Sequence, residues 1–343
     1  MVKYEFLIQE QREHFLEHGW LLVPNSIPKE NIDWWMKDVW TRLGYDPQDP
    51  STWEEETIWM PRHRDMLTKD FSPNAWKAMC ELVGGEERID TVRNAYSGDQ
   101  FIVNLGTEYW RDHDADPRVQ PNWHIDGDWY RHFLDSGEGA LVVIQVYTDI
   151  LPRGGGTYIC EDGLPGICKF LYERPEGSGN KPDTGMYAHV KDCEKFLQVT
   201  AKAGDTLLMH AHLPHCTGKN HLRTLRVIAN PHVTLKEPFN LARPNPEDNS
   251  LCEQVILRAL QRNSIPEYKP TTERLHTYPR NYVAKFSRVQ GELERMVRAA
   301  ESAGGKREDV DSIYLKGEEE IKLHNLRNGL GAEVVDSQRV VVV

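Results

Sequence analysis

Between residues 101 and 233 the chain is cut into short β-branched, apolar runs, and Gly, Pro, Asp or Asn separates one run from the next. Strands are built from such runs, and those residues stop them. The runs cover residues 101–105, 141–150, 157–160, 196–201, 206–212 and 226–233, with a further short one at 20–23 that Pro24 ends. Helical spacing is strongest at the flanks. Residues 7–19 place Ile8, Phe15 and Leu16 on one face and end at a glycine. Pro28 then opens a helix carrying Ile32, Trp35, Met36, Val39 and Leu43, which Gly44 closes. Residues 45–75, rich in Asp, Pro and Thr, read as loop. The pattern predicts a mainly β core wrapped by helices.

At 343 residues the chain can bury a sizeable core. We expect one catalytic domain over residues 1–235, with a lid-like insert at about 161–190, and a linker with a helical extension over 236–343. In that extension Val283, Phe286, Val289, Leu293, Met296, Val297 and Ala300 form one stripe, suited to packing on the core or on a second copy as a homodimer face. A formal charge of -12 and a pI near 5.6 give no footprint for nucleic acid and no polybasic membrane patch. No apolar run approaches the roughly 20 residues that span a bilayer. The expected ligand is a small molecule. Six cysteines without a C-x-x-C pair, and no apolar stretch after the N-terminal charges, predict reduced thiols and a cytoplasmic protein.

The chemistry concentrates at His124-Ile125-Asp126. Alternate side chains of a strand share a face about 7 Å apart, so His124 and Asp126 can reach one metal ion. A third ligand must come from elsewhere, and His210, His212 and His215 all qualify by spacing. Two imidazoles and one carboxylate on one face of an octahedral ion form the ligand set of non-heme Fe(II) oxygenases. Arg226 suits the anionic end of a co-substrate. His63-Arg64-Asp65 repeats the spacing in a polar stretch without strand character, and Asp112, His113, Asp114 and Asp116 read as a solvated loop. Gly154-Gly155-Gly156 reads as a tight turn and not a phosphate loop, because no helix follows it.

The segment Gly204-Asp205-Thr206-Leu207-Leu208-Met209-His210, running on to His215-Cys216-Thr217-Gly218-Lys219-Asn220 with Arg226 eleven positions after His215, resembles the distal motif of the phytanoyl-CoA dioxygenase family. The opening helix, the strand ending at Val23-Pro24 and the next helix are similar too, so the resemblance covers about residues 7–233. It implies a double-stranded β-helix, a jelly-roll of cupin type. His124, Asp126 and His215 would hold Fe(II). 2-Oxoglutarate would chelate the iron and pair its far carboxylate with Arg226, and O2 would be the oxidant. Thr217, Asn122 and Thr157 are implied as further 2-oxoglutarate contacts. The chain departs from the family at Cys160-Glu161-Asp162-Gly163, so a coenzyme A thioester is not implied.

The activity implied is oxidation of an unactivated C–H bond, by default hydroxylation, with 2-oxoglutarate leaving as succinate and CO2. Asp126 fills the position that a halogenase of this class leaves empty for chloride. Trp129, Gln145 and Tyr147 are candidate substrate walls. Two rival readings are a metal-dependent isomerase or hydrolase on the same barrel that ignores 2-oxoglutarate, and a non-catalytic binding protein.

Overall fold

The computed structural model describes residues 4–91, 95–179, 181–275, 285 and 287–328. Its strands are β1 (Trp20–Val23), β2 (Thr57–Trp59), β3 (Asp65–Leu67), β4 (Tyr96–Gly98), β5 (Ile102–Asn104) and β6 (Leu141–Val146). There follow β7 (Tyr158–Cys160), β8 (Phe196–Gln198), β9 (Thr206–His210), β10 (His215–Cys216), β11 (Arg226–Ala229) and β12 (His232–Val233). The helices are α1 (Gln9–His18), α2 (Lys29–Met36), α3 (Val39–Leu43), α4 (Thr68–Phe71) and α5 (Pro73–Val83). After them come α6 (Glu108–Arg111), α7 (Leu164–Tyr172), α8 (Leu251–Ala259), α9 (Val289–Ser302) and α10 (Glu318–Arg327).

β1, β9, β6, β11, β5 and β2 lie side by side in one antiparallel sheet, with β12 also paired to β6. β10, β7 and β8 form a second antiparallel sheet, and β3 and β4 a third. The first two share one core, in which Ile159 and Cys216 pack in the same buried cluster as Val142, Ile144, Leu207 and Met209. The bridge Ile150 to Ala201 ties the end of β6 to the end of β8. This is a mainly β jelly-roll core with flanking helices, its sheets open at their edges. Every residue of β6 is buried, as a strand covered on both faces must be.

β11 and β12 meet β6 in one unbroken register: Ile228 opposite Val146, Ala229 opposite Gln145, His232 opposite Val142 and Val233 opposite Leu141. Positions 226, 228, 230 and 232 therefore share a face. Val227, Ala229 and Tyr147 take the other face and pack with Trp35 and Phe71 beneath α2 and α4. Arg226, Asn230 and His232 consequently turn toward the space between the sheets.

The helix expected to run from Pro28 to Gly44 is broken at Lys37-Asp38 into α2 and α3. The cause is Arg64, whose guanidinium takes the Trp35 carbonyl at the end of α2 and pairs with Asp38. Residues 61–65 are thus not a solvated loop. Fully buried Asp99 accepts from the backbone amides of His63 (2.7 Å) and Arg64 (2.9 Å), and from the guanidiniums of Arg42 (3.0 Å) and Arg64 (3.1 Å). Arg42 also donates to Glu292 of α9 (2.9 Å), and His63 Nε2 lies 3.3 Å from the same carboxylate. α9 lies against α3 and buries Val289, Leu293, Met296 and Val297 of the predicted stripe. Val283 and Phe286 lie outside the described residues. Within the expected insert, α7 buries Leu164, Ile167, Cys168 and Leu171 against α8. No helix of the described residues is long and apolar enough to cross a membrane.

Burial pushes the Asp99 carboxyl up, but Arg42 and Arg64 outweigh it and hold it below its ordinary value. A carboxylate depressed in this way contributes stability above its unfolded pKa of about 3.9, and the contribution is lost as pH falls through the folded value. Asp99→Asn, which removes the carboxylate charge shared by two buried guanidiniums, is expected to cost about 3 kcal/mol in denaturant unfolding at neutral pH. The variant should also lose stability less steeply than the wild type as the solution is acidified.

Candidate metal centre

His124 and His215, far apart in sequence, form a two-way backbone bridge: His124 N donates to His215 O (3.0 Å) and His215 N to His124 O (2.9 Å). The bridge sets their rings side by side, with centroids 4.5 Å apart. Asp126 follows in a bend, so the two nearby ligands do not come from a regular strand as the spacing suggested. The pairing cannot extend, because left-handed residues bracket it: Asn122 at φ 69 before and Gly127 at φ 118 after. A Cβ at Gly127 would come within 2.3 Å of the Tyr130 ring.

The three ligand atoms lie within 4.8 Å of one another. Asp126 Oδ1 is 3.3 Å from His124 Nε2 and 3.6 Å from His215 Nε2. Each imidazole is oriented from behind: Nδ1 of His124 bonds the Asn122 carbonyl (2.7 Å) and Nδ1 of His215 the Leu213 carbonyl (3.0 Å). A proton on Nδ1 leaves the Nε2 lone pair for a metal, and such backing carbonyls fix both tautomer and ring. Asn230 Nδ2 donates to the other oxygen of Asp126 (3.3 Å). Burial pushes the Asp126 carboxyl up, but the imidazoles of His124 and His215, when protonated on Nε2, outweigh it and hold the group well below the usual carboxylate range. A donor set of two neutral nitrogens and one carboxylate oxygen suits a divalent transition metal.

His210 and His212 stay in the core. His210 Nε2 bonds the Cys252 carbonyl (3.2 Å) and its Nδ1 accepts from the His212 amide (3.0 Å), while His212 Nδ1 meets Cys168 Sγ (3.6 Å). A second group, Cys160, Asp162 and Cys193, also lies within 4.8 Å. Its carboxylate accepts from the amides of Glu194 (2.8 Å) and Lys195 (3.2 Å), and burial pushes both thiols up, so it acts as a loop clasp.

Arg226 is fully buried on the interior face of β11. Its Nε donates to Gly155 O (3.0 Å) and one Nη to Ile102 O (3.2 Å), and among the described residues no carboxylate pairs with it. Burial pulls the guanidinium down to about 10. A buried cation held only by carbonyls is incompletely compensated, and an anion would complete it. Arg223, in contrast, is engaged near the surface by Glu108, Gly106 O and Pro50 O. The triple glycine does more than turn the chain: Gly155 supplies the carbonyl to Arg226, and a Cβ at Gly156 would fall 1.9 Å from Val199 O.

Ile159 lies opposite His215, so Thr157 and Thr217, each two positions away, share the His215 face of the small sheet. Asn122 is in a turn and meets the centre through its carbonyl. Trp129 is brought in against His232, ring centroids 4.5 Å apart. Gln145 and Tyr147 lie on the opposite face of β6 from Val146, bonded to Ser97 (2.7 Å) and to each other (3.2 Å). The sequence reading overlooked Asn230, His232 and Gly155. The alternation 226, 228, 230, 232 was the signal that would have found the first two.

No family model and no curated protein matches the chain. Among solved structures it is similar to HygX from Streptomyces hygroscopicus with nickel, 2-oxoglutarate and hygromycin B bound, at 14% identity over 69% of this chain and 90% of that one, TM-score 0.37. It is similar to the non-heme alpha ketoglutarate dependent carbocyclase SnoK from nogalamycin biosynthesis, at 14% identity over 67% and 84%, TM-score 0.37. It is also similar to the GlcNAc Inducible Gene 2 protein from Candida albicans, at 15% identity over 68% and 65%, TM-score 0.43. Likenesses at this level assign no residue. The resemblance to the phytanoyl-CoA dioxygenase family stands on the motif residues alone.

After anaerobic loading with Fe(II) and desalting, His215→Ala is expected to lose bound iron at least tenfold relative to wild type, while His212→Ala retains it. Metal analysis of the two proteins reads the difference, and the reverse pattern would reassign the distal ligand.

Proposed function

We propose that this chain is an Fe(II)- and 2-oxoglutarate-dependent oxygenase that oxidises an unactivated C–H bond of a small organic molecule, by default through hydroxylation. The observation that carries the reading is the pairing of the His124, Asp126, His215 triad with Arg226, a buried cation with no carboxylate partner among the described residues. Ferrous iron with 2-oxoglutarate and O2 supplies the oxidising power, and the overall conversion of R–H, 2-oxoglutarate and O2 to R–OH, succinate and CO2 balances.

The chain's own residues supply position and charge. His124 and His215 present Nε2 because backbone carbonyls hold Nδ1. Asn230 steadies Asp126. The three donors would hold the ion from one side and leave room for a chelating co-substrate. Arg226 receives the far carboxylate of 2-oxoglutarate in a charge-assisted, two-pronged pair, which its fixed fork favours over a lysine. Thr157 and Thr217 offer hydroxyls on the His215 face. Burial around Arg226 excludes water and strengthens that pair.

Anaerobic addition of 2-oxoglutarate to the Fe(II) protein is expected to give the visible metal-to-ligand charge-transfer band of bidentate chelation. Arg226→Met, which fills similar space without the charge, should raise the 2-oxoglutarate concentration for half-maximal band by about 30–100-fold, the equivalent of about 2–3 kcal/mol. Iron without the band would favour the isomerase or hydrolase reading, and no retained iron the binding-protein reading.

A further inference from the structure

The insert that leaves the small sheet after β7 and returns to it at β8 is closed at its base by a cluster that the proposed chemistry does not use. Cys160 ends β7, Asp162 follows it by two positions, and Cys193 comes just before β8. Cys160 and Asp162 belong to the stretch at which the sequence departs from the phytanoyl-CoA dioxygenase pattern. One donor atom from each of the three residues lies within 4.8 Å of the other two, the same limit that the His124, Asp126, His215 triad meets. Both cysteines are buried, and Asp162 is partly open to solvent.

The backbone fixes these donors in place. Glu161 N donates to Lys195 O (3.0 Å) and Cys160 N to Pro214 O (3.0 Å), so both ends of the insert are pinned before any side chain acts. The Asp162 carboxylate accepts from the Glu194 amide at one oxygen (2.8 Å) and from the Lys195 amide at the other (3.2 Å). Such backing orients a carboxylate ligand and leaves lone pairs for a cation. The Cys160 thiol reaches Asp162 Oδ1 at 3.5 Å and the Cys193 thiol reaches His189 O at 3.6 Å, both long sulfur contacts. Gly163 keeps the space clear, because a Cβ there would come within 2.9 Å of Cys160 Sγ.

Burial first, then Cys193 and Asp162, push the Cys160 thiol up, and burial pushes Cys193 up as well. Without a cation the thiols therefore stay protonated and the group is the clasp described above. A thiophilic divalent cation reverses that balance by displacing one proton from each thiol to solvent. Two thiolates, one carboxylate and the cation then leave a single net negative charge, which the two amides on Asp162 partly offset. Two sulfurs and one oxygen suit zinc, which takes such ligands in a tetrahedron and can complete it with water on the open side.

We propose that Cys160, Asp162 and Cys193 form a second metal site, a structural zinc site that ties the two ends of the insert together. It adjoins the β7–β10 pair, in which Ile159 stands opposite His215, and so braces the strands that carry the distal ligand. The site stands apart from the proposed oxygenase chemistry.

The test titrates the full chain, stripped of metal and kept reduced with a phosphine, with Co(II) alone. Sulfur-to-cobalt charge transfer in the near ultraviolet is expected, which the nitrogen and oxygen donors of the triad cannot produce, and excess Zn(II) should bleach it. His215→Ala should keep the signal. Cys193→Ala should lose it while still loading Fe(II) at the triad, and Asp162→Asn should weaken Co(II) binding by about tenfold or more. Zn(II) should raise the melting temperature of the wild type and not that of Cys193→Ala. Wild type that shows no sulfur-to-cobalt charge transfer, with both thiols confirmed as reduced by mass spectrometry, overturns the proposal. So does a signal that survives Cys193→Ala. The wild-type titration decides the matter even where a variant fails to fold.

Discussion

The two backbone hydrogen bonds between His124 and His215 are the constraint on which the centre depends. Side-chain ligands on separate segments ordinarily owe their spacing to packing, which tolerates shifts of a few tenths of an ångström. Here the peptide groups of the ligand residues are themselves paired, so the separation of their Cα atoms is set by ladder geometry. The rest of the arrangement follows from that pair. The small sheet takes its register from Ile159 opposite His215, and that register carries Thr157 and Thr217 onto the ligand face. The large sheet reaches the same point from behind through Asn230 on Asp126.

Two fully buried arginines show how the same charge is handled for different ends. Arg42 is met by Asp99, Glu292 and two backbone carbonyls, so its charge is balanced within the protein, and these contacts fasten α3 to α9. Among the described residues Arg226 has carbonyls only. Both guanidiniums are fully buried, and the difference among the described residues is that no carboxylate meets Arg226. A closed ionic cluster rigidifies, whereas an open one keeps an affinity in reserve for a ligand.

Much of the β core was legible because alternating or continuous apolar runs have few other ways to be buried, as the runs that became β6, β9 and β11 illustrate. Period-two patterning shows which residues share a face, but not which face looks inward. Gln145 and Tyr147 were therefore grouped correctly with each other, yet they lie on the side of β6 turned to α2 and α4. The His63-Arg64-Asp65 stretch was opaque for another reason. Charged residues default to solvent in any local reading, and only tertiary contact with Asp99 and Glu292 reveals a buried hub. Asn122 and Gly127 stand where the chain must turn left-handed, so a motif that looked like a strand became a single bridge.

The clasp between Arg42 and Glu292 spans 250 positions of sequence. Chain-closure entropy for so long a loop must be met before the contact gives anything back, so this contact forms late in folding. The three triad residues all precede position 216, whereas Glu292 comes far later in the chain. During synthesis His124, Asp126 and His215 leave the ribosome well ahead of the segment that completes the ionic hub. Docking of α9 onto α3 therefore joins two partners that are synthesised far apart in time.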